Sequence, residues 1–226
     1  MKVLTKWLTI ITLAVILTIT TISSCSKKSD SLEYEAEKKL FKARKLKEEL
    51  ISGPFRQEFF DRTINEYRKI IKTFKPEIKK SHIIKNIVVS AQLEMADLFY
   101  MAGQIDSALA GYERATKLAK DIPQARAGAI YTSAAIAEES GKLETAINLY
   151  REFSEEFLIP FNRKNITLID RSYLIAPIKL AQLLRSLGKN KESEKWFEKA
   201  EKLYKNIVSS ASDTTIKKTS HFNLLS

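Results

Sequence analysis

The chain of 226 residues is predicted to be an all-α protein built from about four antiparallel helix hairpins. Glycine and proline number only 6 and 5, which is too few for the many turns of a β-rich architecture. Hydrophobic residues make up 44% and charged residues 29% of the chain, so a core can form and disorder throughout is excluded. Apolar residues also recur with helical spacing, and one set of spacings occurs three times.

The first 24 residues have the layout of a secretory signal peptide. Lys2 and Lys6 precede an uncharged run, residues 7–22, which is followed by Ser-Ser-Cys ending at Cys25. A basic start, an apolar stretch and small residues before a cleavage site are typical of exported proteins. The apolar run is shorter than the ~20 residues that span a bilayer, so we interpret it as a leader.

An apolar residue, two small residues and Cys25 resemble the lipobox of bacterial lipoproteins. The resemblance implies cleavage before Cys25 and acylation of its thiol, which would tether the mature chain to a membrane. Ser26 rather than Asp follows, and by resemblance to Gram-negative sorting this implies the outer membrane, facing the periplasm. Residues 25–31 would then form a flexible tether. An ordinary cleaved signal and an uncleaved signal anchor remain open.

A repeated pattern is anchored on Gly103, Gly141 and Gly188, each of which ends an apolar helical run. Small residues lie seven positions before and five after each glycine, and an aromatic lies nine after. Small residues let two helices approach closely, and glycine ends a helix in a conformation that costs other residues free energy. The pattern therefore predicts three hairpins within residues 81–208. The residues seven before the glycines are Ala96, Ala134 and Ala181, those five after are Ala108, Ala146 and Ser193, and those nine after are Tyr112, Tyr150 and Phe197.

This pattern is similar to the tetratricopeptide repeat (TPR), whose period is ~34 residues. The glycines are 38 and 47 residues apart, so the repeats are degenerate and have longer connections. The resemblance implies a right-handed α-solenoid that binds a protein or peptide partner on its concave face. Together with the lipobox, the architecture is similar to that of the TPR lipoprotein of the outer-membrane barrel-assembly machinery.

The N-terminal region, residues 32–80, is predicted to form an irregular first hairpin. Its helices, 32–51 and 55–74, are separated by Ser52-Gly53-Pro54, since glycine and proline mark breaks. Thr63, Tyr67 and Ile70 repeat the spacing of four and three seen on the second helix of each later hairpin.

The later hairpins are predicted from apolar spacing between the glycine and proline breaks. Pro123 and Pro177 fit the first turn of a helix, where a missing N–H costs nothing. Residues 158–171 are predicted to be a loop, and the tail, residues 209–226, to be a helix that caps the last repeat. The predicted helices are 82–102, 105–120, 123–140, 142–157, 172–187 and 189–208.

The TPR resemblance places the partner-binding surface on exposed positions of each first helix. Tyr100 and Tyr131 are the best candidate anchors, because tyrosine offers a large area with a polar tip. Each could equally pack between helices. The predicted surface consists of Leu93, Asp97 and Tyr100, then Tyr131, Ala135 and Glu138, then Ile178, Gln182 and Arg185.

The excess of basic over acidic residues is concentrated next to the predicted tether. The formal net charge is +11, and residues 27–80 hold 16 basic and 10 acidic side chains. Three interpretations are open: nucleic-acid binding, attraction to an anionic membrane or polysaccharide, and a solvated helical face with interleaved signs. The export signal disfavours the first, and we prefer the third. We therefore predict no nucleic-acid partner.

No enzyme site is evident in the sequence. It contains no phosphate loop, no dinucleotide fingerprint and no nucleophile elbow. Its two histidines, His82 and His221, are far apart and fit helix surfaces, and a single cysteine excludes a multi-cysteine metal site. We predict a non-enzymatic protein without cofactor or metal.

Overall fold

The computed structural model describes residues 31–158, 171–210 and 214–225, which are mainly helical and contain no strand. The chain divides into two compact units, Met1–Ala91 and Gln92–Ser226. The predicted leader, Cys25 and residues 159–170 of the predicted loop lie outside the described residues. Within the described residues, no helix combines the length and apolar character needed to cross a membrane.

The first unit contains helix α1, residues 31–52, helix α2, Gln57–Phe74, and a 3-10 turn, Lys75–Glu77. It also contains the start of helix α3, His82–Met101. The apolar stripe of α1 is buried at Ala36, Leu40, Ala43 and Leu50. The predicted stripe of α2 is buried as well, and the Thr63 hydroxyl donates to the Phe59 carbonyl at 2.8 Å. This bond removes the penalty for burying a hydroxyl.

Ser81 fixes where α3 begins. Its Oγ accepts a hydrogen bond from the Ile84 N–H at 3.1 Å, which caps the first turn of the helix. The same hydroxyl donates to the Glu33 carboxylate at 2.5 Å. One side chain thus caps the N-terminal end of α3 and links it by a hydrogen bond to the start of α1.

Over residues 92–158, 171–210 and 214–225, the second unit contains the remainder of α3 and six further helices. It carries three hairpins, α3–α4, α5–α6 and α7–α8, followed by the predicted tail helix α9. The all-α fold of repeated, TPR-like hairpins is therefore confirmed. The bounds are α4, Ile105–Leu118; α5, Pro123–Glu139; α6, Leu143–Phe153; α7, Ala176–Ser186; α8, Asn190–Ser210; and α9, Thr214–Leu225.

Two helices differ from the prediction at one end. α6 stops early and continues as a π-helical turn, Ser154–Leu158, in which Phe157 and Leu158 are both buried. α7 starts late, after a 3-10 turn, Arg171–Ile175, with Pro177 in its first turn. An α-helix begun at residue 172 would place Pro177 in its interior, where the ring clashes with the carbonyl four residues earlier.

Each hairpin of the second unit reverses at a glycine with positive φ. The angles are 70° at Gly103, 72° at Gly141 and 73° at Gly188. At the first turn the Gly103 N–H donates to the Tyr100 carbonyl at 2.9 Å, and the Gln104 N–H donates to the Phe99 carbonyl at 2.8 Å. The other two turns repeat both bonds. This pairing is the Schellman motif, which satisfies the last carbonyls of a helix.

The six small residues around the turns are all fully buried, as a close approach of the two helices requires. In the third hairpin the Ser193 hydroxyl donates to the Ala181 carbonyl at 2.8 Å, so the side chain of one helix reaches the backbone of the other. In the first hairpin Gly111 extends the contact, because a Cβ built there would lie 2.8 Å from the Ala96 Cβ. The Gln92 amide also donates to the Gly111 carbonyl at 3.2 Å.

We expect Gly111→Ala to destabilise the protein by about 1–3 kcal/mol, because the added methyl overpacks the α3–α4 contact. Gly128→Ala in α5 is the matched control, since a Cβ there would meet only the Tyr173 hydroxyl, at 3.5 Å. Alanine is favoured over glycine in a helix by about 1 kcal/mol, so this control should be neutral or stabilising. Urea unfolding measures both, and equal shifts would show that the approach at Ala96 does not limit packing.

Candidate functional site

The predicted surface residues lie on α3, α5 and α7, the first helices of the three hairpins. Gln182 and Arg185 are exposed and the other seven are half-buried. Their side chains are therefore at the boundary between core and solvent, where contacts with neighbouring helices decide their orientation.

Two polar contacts connect these first helices. The Tyr100 hydroxyl of α3 donates to a Glu139 carboxylate oxygen of α5 at 2.5 Å. The Lys179 ammonium of α7 donates to the Glu138 carboxylate at 2.9 Å. Adjacent residues at the end of α5 thus contact the helix on either side. These two contacts link the first helices of the three hairpins.

A second set of contacts holds each hairpin together through the aromatic nine residues after the glycine. The Tyr112 hydroxyl donates to the Asp97 carboxylate, and the Tyr150 hydroxyl donates to the Glu138 carboxylate at 2.8 Å. In the third hairpin Phe197 has no hydroxyl, and the Arg185 guanidinium lies 4.9 Å from its ring centroid. Such a cation–π contact stabilises by about 0.5–1 kcal/mol at an exposed site.

These contacts keep the phenols protonated. Burial, then the hydrogen bond to a carboxylate, raises the pKa of Tyr112 and of Tyr150 well above the usual value. For Tyr100 the hydrogen bond to Glu139 is the first cause of a raised pKa. Burial also raises the pKa of Tyr204, whose hydroxyl donates to the Leu174 carbonyl at 2.7 Å. A neutral phenol is the form that can donate to an acceptor.

Tyr131 lies within an aromatic cluster of the second unit. Its ring centroid is 4.3 Å from that of Tyr173, 5.5 Å from that of Phe153 and 5.8 Å from that of Tyr150. Rings at these distances attract one another beyond their buried area. The packing role that the sequence left open for Tyr131 is thus present, and its role as an anchor for a partner stays a prediction.

The last hairpin contains a groove of about 820 Å³. Ile178, Gln182 and Arg185 of α7 line it, so the structure brings the third predicted triplet into one cavity. The opposite wall belongs to α8, which sequence reasoning missed: Glu194, Phe197, Glu198 and Glu201 face the groove. A difference between the repeats in the sequence could have pointed to this wall. Six residues after the glycine the chain has Leu109 and Ile147 in the first two repeats, but Glu194 in the third.

The two histidines are exposed, His82 at the start of α3 and His221 in α9. In the part of the chain that the structure describes, no three His, Cys, Asp or Glu side chains are grouped so that they could hold a metal ion.

No protein-family model matches the chain, and no curated protein matches it. Solved structures similar to it include the nearly identical TPR-like repeats of a Podosopora anserina kinesin light chain, at 13% identity, with 85% of this chain and 84% of that chain covered and a TM-score of 0.44. MamA is 17% identical, with 74% and 90% covered and a TM-score of 0.40.

The Rap conjugation gene regulator of plasmid pLS20, in complex with the Phr* peptide, is 18% identical, with 86% of this chain and 60% of that chain covered and a TM-score of 0.40. Similarity at these TM-scores describes the general architecture and supports no conclusion about function. The fold is established by the three glycine-centred hairpins of the chain itself.

The protein should lose stability as the pH rises above ~10. In the unfolded chain Tyr112 ionises near its usual pKa of ~10, whereas its raised pKa keeps it protonated in the folded protein. Stability from this group is therefore fully present below pH ~10 and is lost as the pH rises toward the folded pKa. Tyr112→Phe should make the fall in unfolding free energy shallower by about 1.4 kcal/mol per pH unit.

Urea unfolding followed by circular dichroism at a series of alkaline pH values measures this slope. Comparing slopes, rather than stabilities at one pH, separates ionisation from the loss of the hydrogen bond to Asp97. An identical slope in the two proteins would contradict the prediction.

Proposed function

We propose that the protein is a lipid-anchored, non-enzymatic scaffold of the bacterial cell envelope that binds a protein or peptide partner across the first helices of its hairpins. The observation that carries the proposal is the pair of contacts, Tyr100–Glu139 and Glu138–Lys179, that link the first helices of the three hairpins. A surface on these helices spans several hairpins, which suits an extended ligand better than a small molecule.

The polar groups of this surface are held in place before a partner binds. Glu138 accepts bonds from both Tyr150 and Lys179, and a carboxylate has about four acceptor positions. The remaining positions can accept N–H groups of a partner. Side chains that are already ordered lose less conformational entropy on binding, which favours affinity.

The membrane anchor is supported by the sequence around Cys25, which is the only cysteine in the chain. An acylated Cys25 would lie six residues before residue 31, where α1 begins in the described structure. Two acyl chains suffice for a stable anchor, since each buried CH₂ contributes ~0.8 kcal/mol.

Expressed in a Gram-negative host, the wild-type chain should begin at an acylated Cys25, and Cys25→Ala should carry no acyl group. Mass spectrometry of the N-terminal peptide measures both. Ser26→Ala should be acylated normally, whereas Ser26→Asp should move the protein to the inner-membrane fraction if the sorting resemblance is correct. An unmodified Cys25 or an intact Met1 in the wild type would contradict the anchor.

Tyr100→Ala should reduce partner capture about tenfold or more, because tyrosines are frequent hot spots of interfaces. Crosslinking in the native envelope, followed by identification of the crosslinked proteins, measures capture. Glu113→Ala with Lys117→Ala is the matched control, since this ion pair is exposed on the second helix α4. Equal capture by Tyr100→Ala and the wild type would contradict the assignment of the surface.

Tyr131 requires a milder substitution than alanine, because its ring packs against Tyr173 and Phe153. Tyr131→Phe keeps the ring and removes only the hydroxyl. A loss of capture in this variant, with unchanged thermal stability, would assign the hydroxyl to partner binding.

The alternative function is binding of an anionic membrane or polysaccharide through the basic N-terminal helices. In the described part of the first unit, basic side chains pair with acids at Lys39–Glu35, Lys69–Glu66 and Lys80–Glu77, with N–O distances of 2.7–2.9 Å. Interleaved signs of this kind are what a solvated helical face presents. We therefore rank this function second.

A further inference from the structure

We propose that the groove at the end of the last hairpin binds helix α1 of a second copy of this chain, so that copies associate head to tail. This inference goes beyond the proposed function and depends on neither the lipid anchor nor the identity of a partner.

The aromatic nine residues after the glycine is covered in the first two hairpins and partly open in the third. Tyr112 is 3% exposed and Tyr150 1% exposed, and the helix that follows each hairpin, α5 or α7, packs against it. Phe197 is half-buried and lines the groove of about 820 Å³. α9 contributes Asn223 to the lining. α9, the helix that follows the last hairpin, packs on α8 but leaves Phe197 partly open.

The chemistry of this end differs from that of the inner hairpins. Where the first two repeats have Leu109 and Ile147, the third has Glu194. Glu198 and Glu201 also line the groove, next to the apolar side chains of Ile178 and Phe197 and one cation, Arg185. Glu201 is paired with Lys205, so the acids that face the groove outnumber Arg185 through Glu194 and Glu198. The fitting occupant is a helix that presents apolar and basic side chains on one face.

α1 has such a face. Tyr34, Lys38, Phe41 and Lys45 are four, three and four residues apart, which places them on one side of a helix, and all four are exposed. Tyr34 is 65% exposed and Phe41 59%. The opposite side of α1 contains the buried stripe that packs within the first unit.

The two lysines lie along the two rings. The Lys38 ammonium is 6.0 Å from the Tyr34 centroid, and the Lys45 ammonium is 5.0 Å from the Phe41 centroid. One side of α1 thus presents both exposed aromatic rings and basic groups. Charge and apolar content are thus complementary between α1 and the groove.

Each copy carries one groove and one α1 face, so a contact between them uses two different surfaces and can repeat from copy to copy. A partly desolvated set of opposite charges should also weaken as salt is added, because ions screen exposed charges beyond ~10 Å at 0.1 M.

The test uses the full chain in a mild non-ionic detergent and measures its mass by sedimentation velocity over a range of concentrations. The wild type should form dimers and larger species, and Glu194→Lys with Glu198→Lys, or Lys38→Glu with Lys45→Glu, should weaken association at least tenfold. An equimolar mixture of these two double variants should associate again, because each supplies the charge that the other's surface now requires. Glu113→Lys with Lys117→Glu on α4 is the matched control and should associate like the wild type.

Rescue in the mixture would support the proposal even if each double variant were somewhat less stable. A monomeric wild type at all concentrations, or variants that associate normally, would overturn it. Loss of binding to vesicles containing anionic phosphatidylglycerol by Lys38→Glu with Lys45→Glu, with association unchanged, would also overturn it and assign the α1 face to a membrane. Tyr100→Ala should leave association unchanged, so failure here and failure of the proposed function are distinguishable.

Discussion

The glycine turns of the second unit determine which residues meet in each hairpin. With φ near +70° at Gly103, Gly141 and Gly188, the chain reverses after a fixed number of residues and the last carbonyls of the first helix are satisfied. The reversal brings the small residue seven before the glycine against the one five after it. Backbones then come close enough for the Ser193–Ala181 bond. A residue with a Cβ at the turn would raise the energy of this conformation by about 1–2 kcal/mol.

The same register explains why one position carries two kinds of contact in the three hairpins. The aromatic residue nine positions after the glycine contacts a polar side chain of the first helix in every hairpin. Where the aromatic residue changes, its polar partner changes too. Two hairpins pair a tyrosine with a carboxylate, and the third pairs Phe197 with Arg185. A phenylalanine cannot satisfy a half-buried carboxylate, whereas its ring face attracts a guanidinium. The geometry of the hairpin is thus kept while the polar partner of the aromatic changes from a carboxylate to a guanidinium.

Sequence reasoning predicted what depends on spacing within one hairpin. The turns, the small pairs, Pro177 in a first turn and the helix in the tail follow from local rules, because the reason for each lies within a few residues. The π-helical turn after α6 and the contacts of Glu139 and Lys179 were not predicted. Each depends on how one helix is placed beside another, and residues 38 or more positions apart meet there. The predicted surface residues lie on the first helices of the hairpins, the bonds that orient them were missed, and their role in binding a partner stays a prediction.

The acids of α8 combine both kinds of feature. The change of residue type can be seen in the sequence of one hairpin, but its consequence depends on which helices pack beside that hairpin. Six residues after the glycine, the first two repeats have Leu109 and Ile147 and the third has Glu194. This change indicates that the last hairpin is not followed by a further repeat packed in the same way. Terminal repeats commonly carry such a polar outer face, which keeps the stack soluble. A purely solvating face would place charge over the apolar positions, whereas here Phe197 and Ile178 remain in an open groove beside the charges. Apolar area next to an excess of carboxylates is lowest in free energy when both are covered together, and a basic, aromatic helix face does this in one contact.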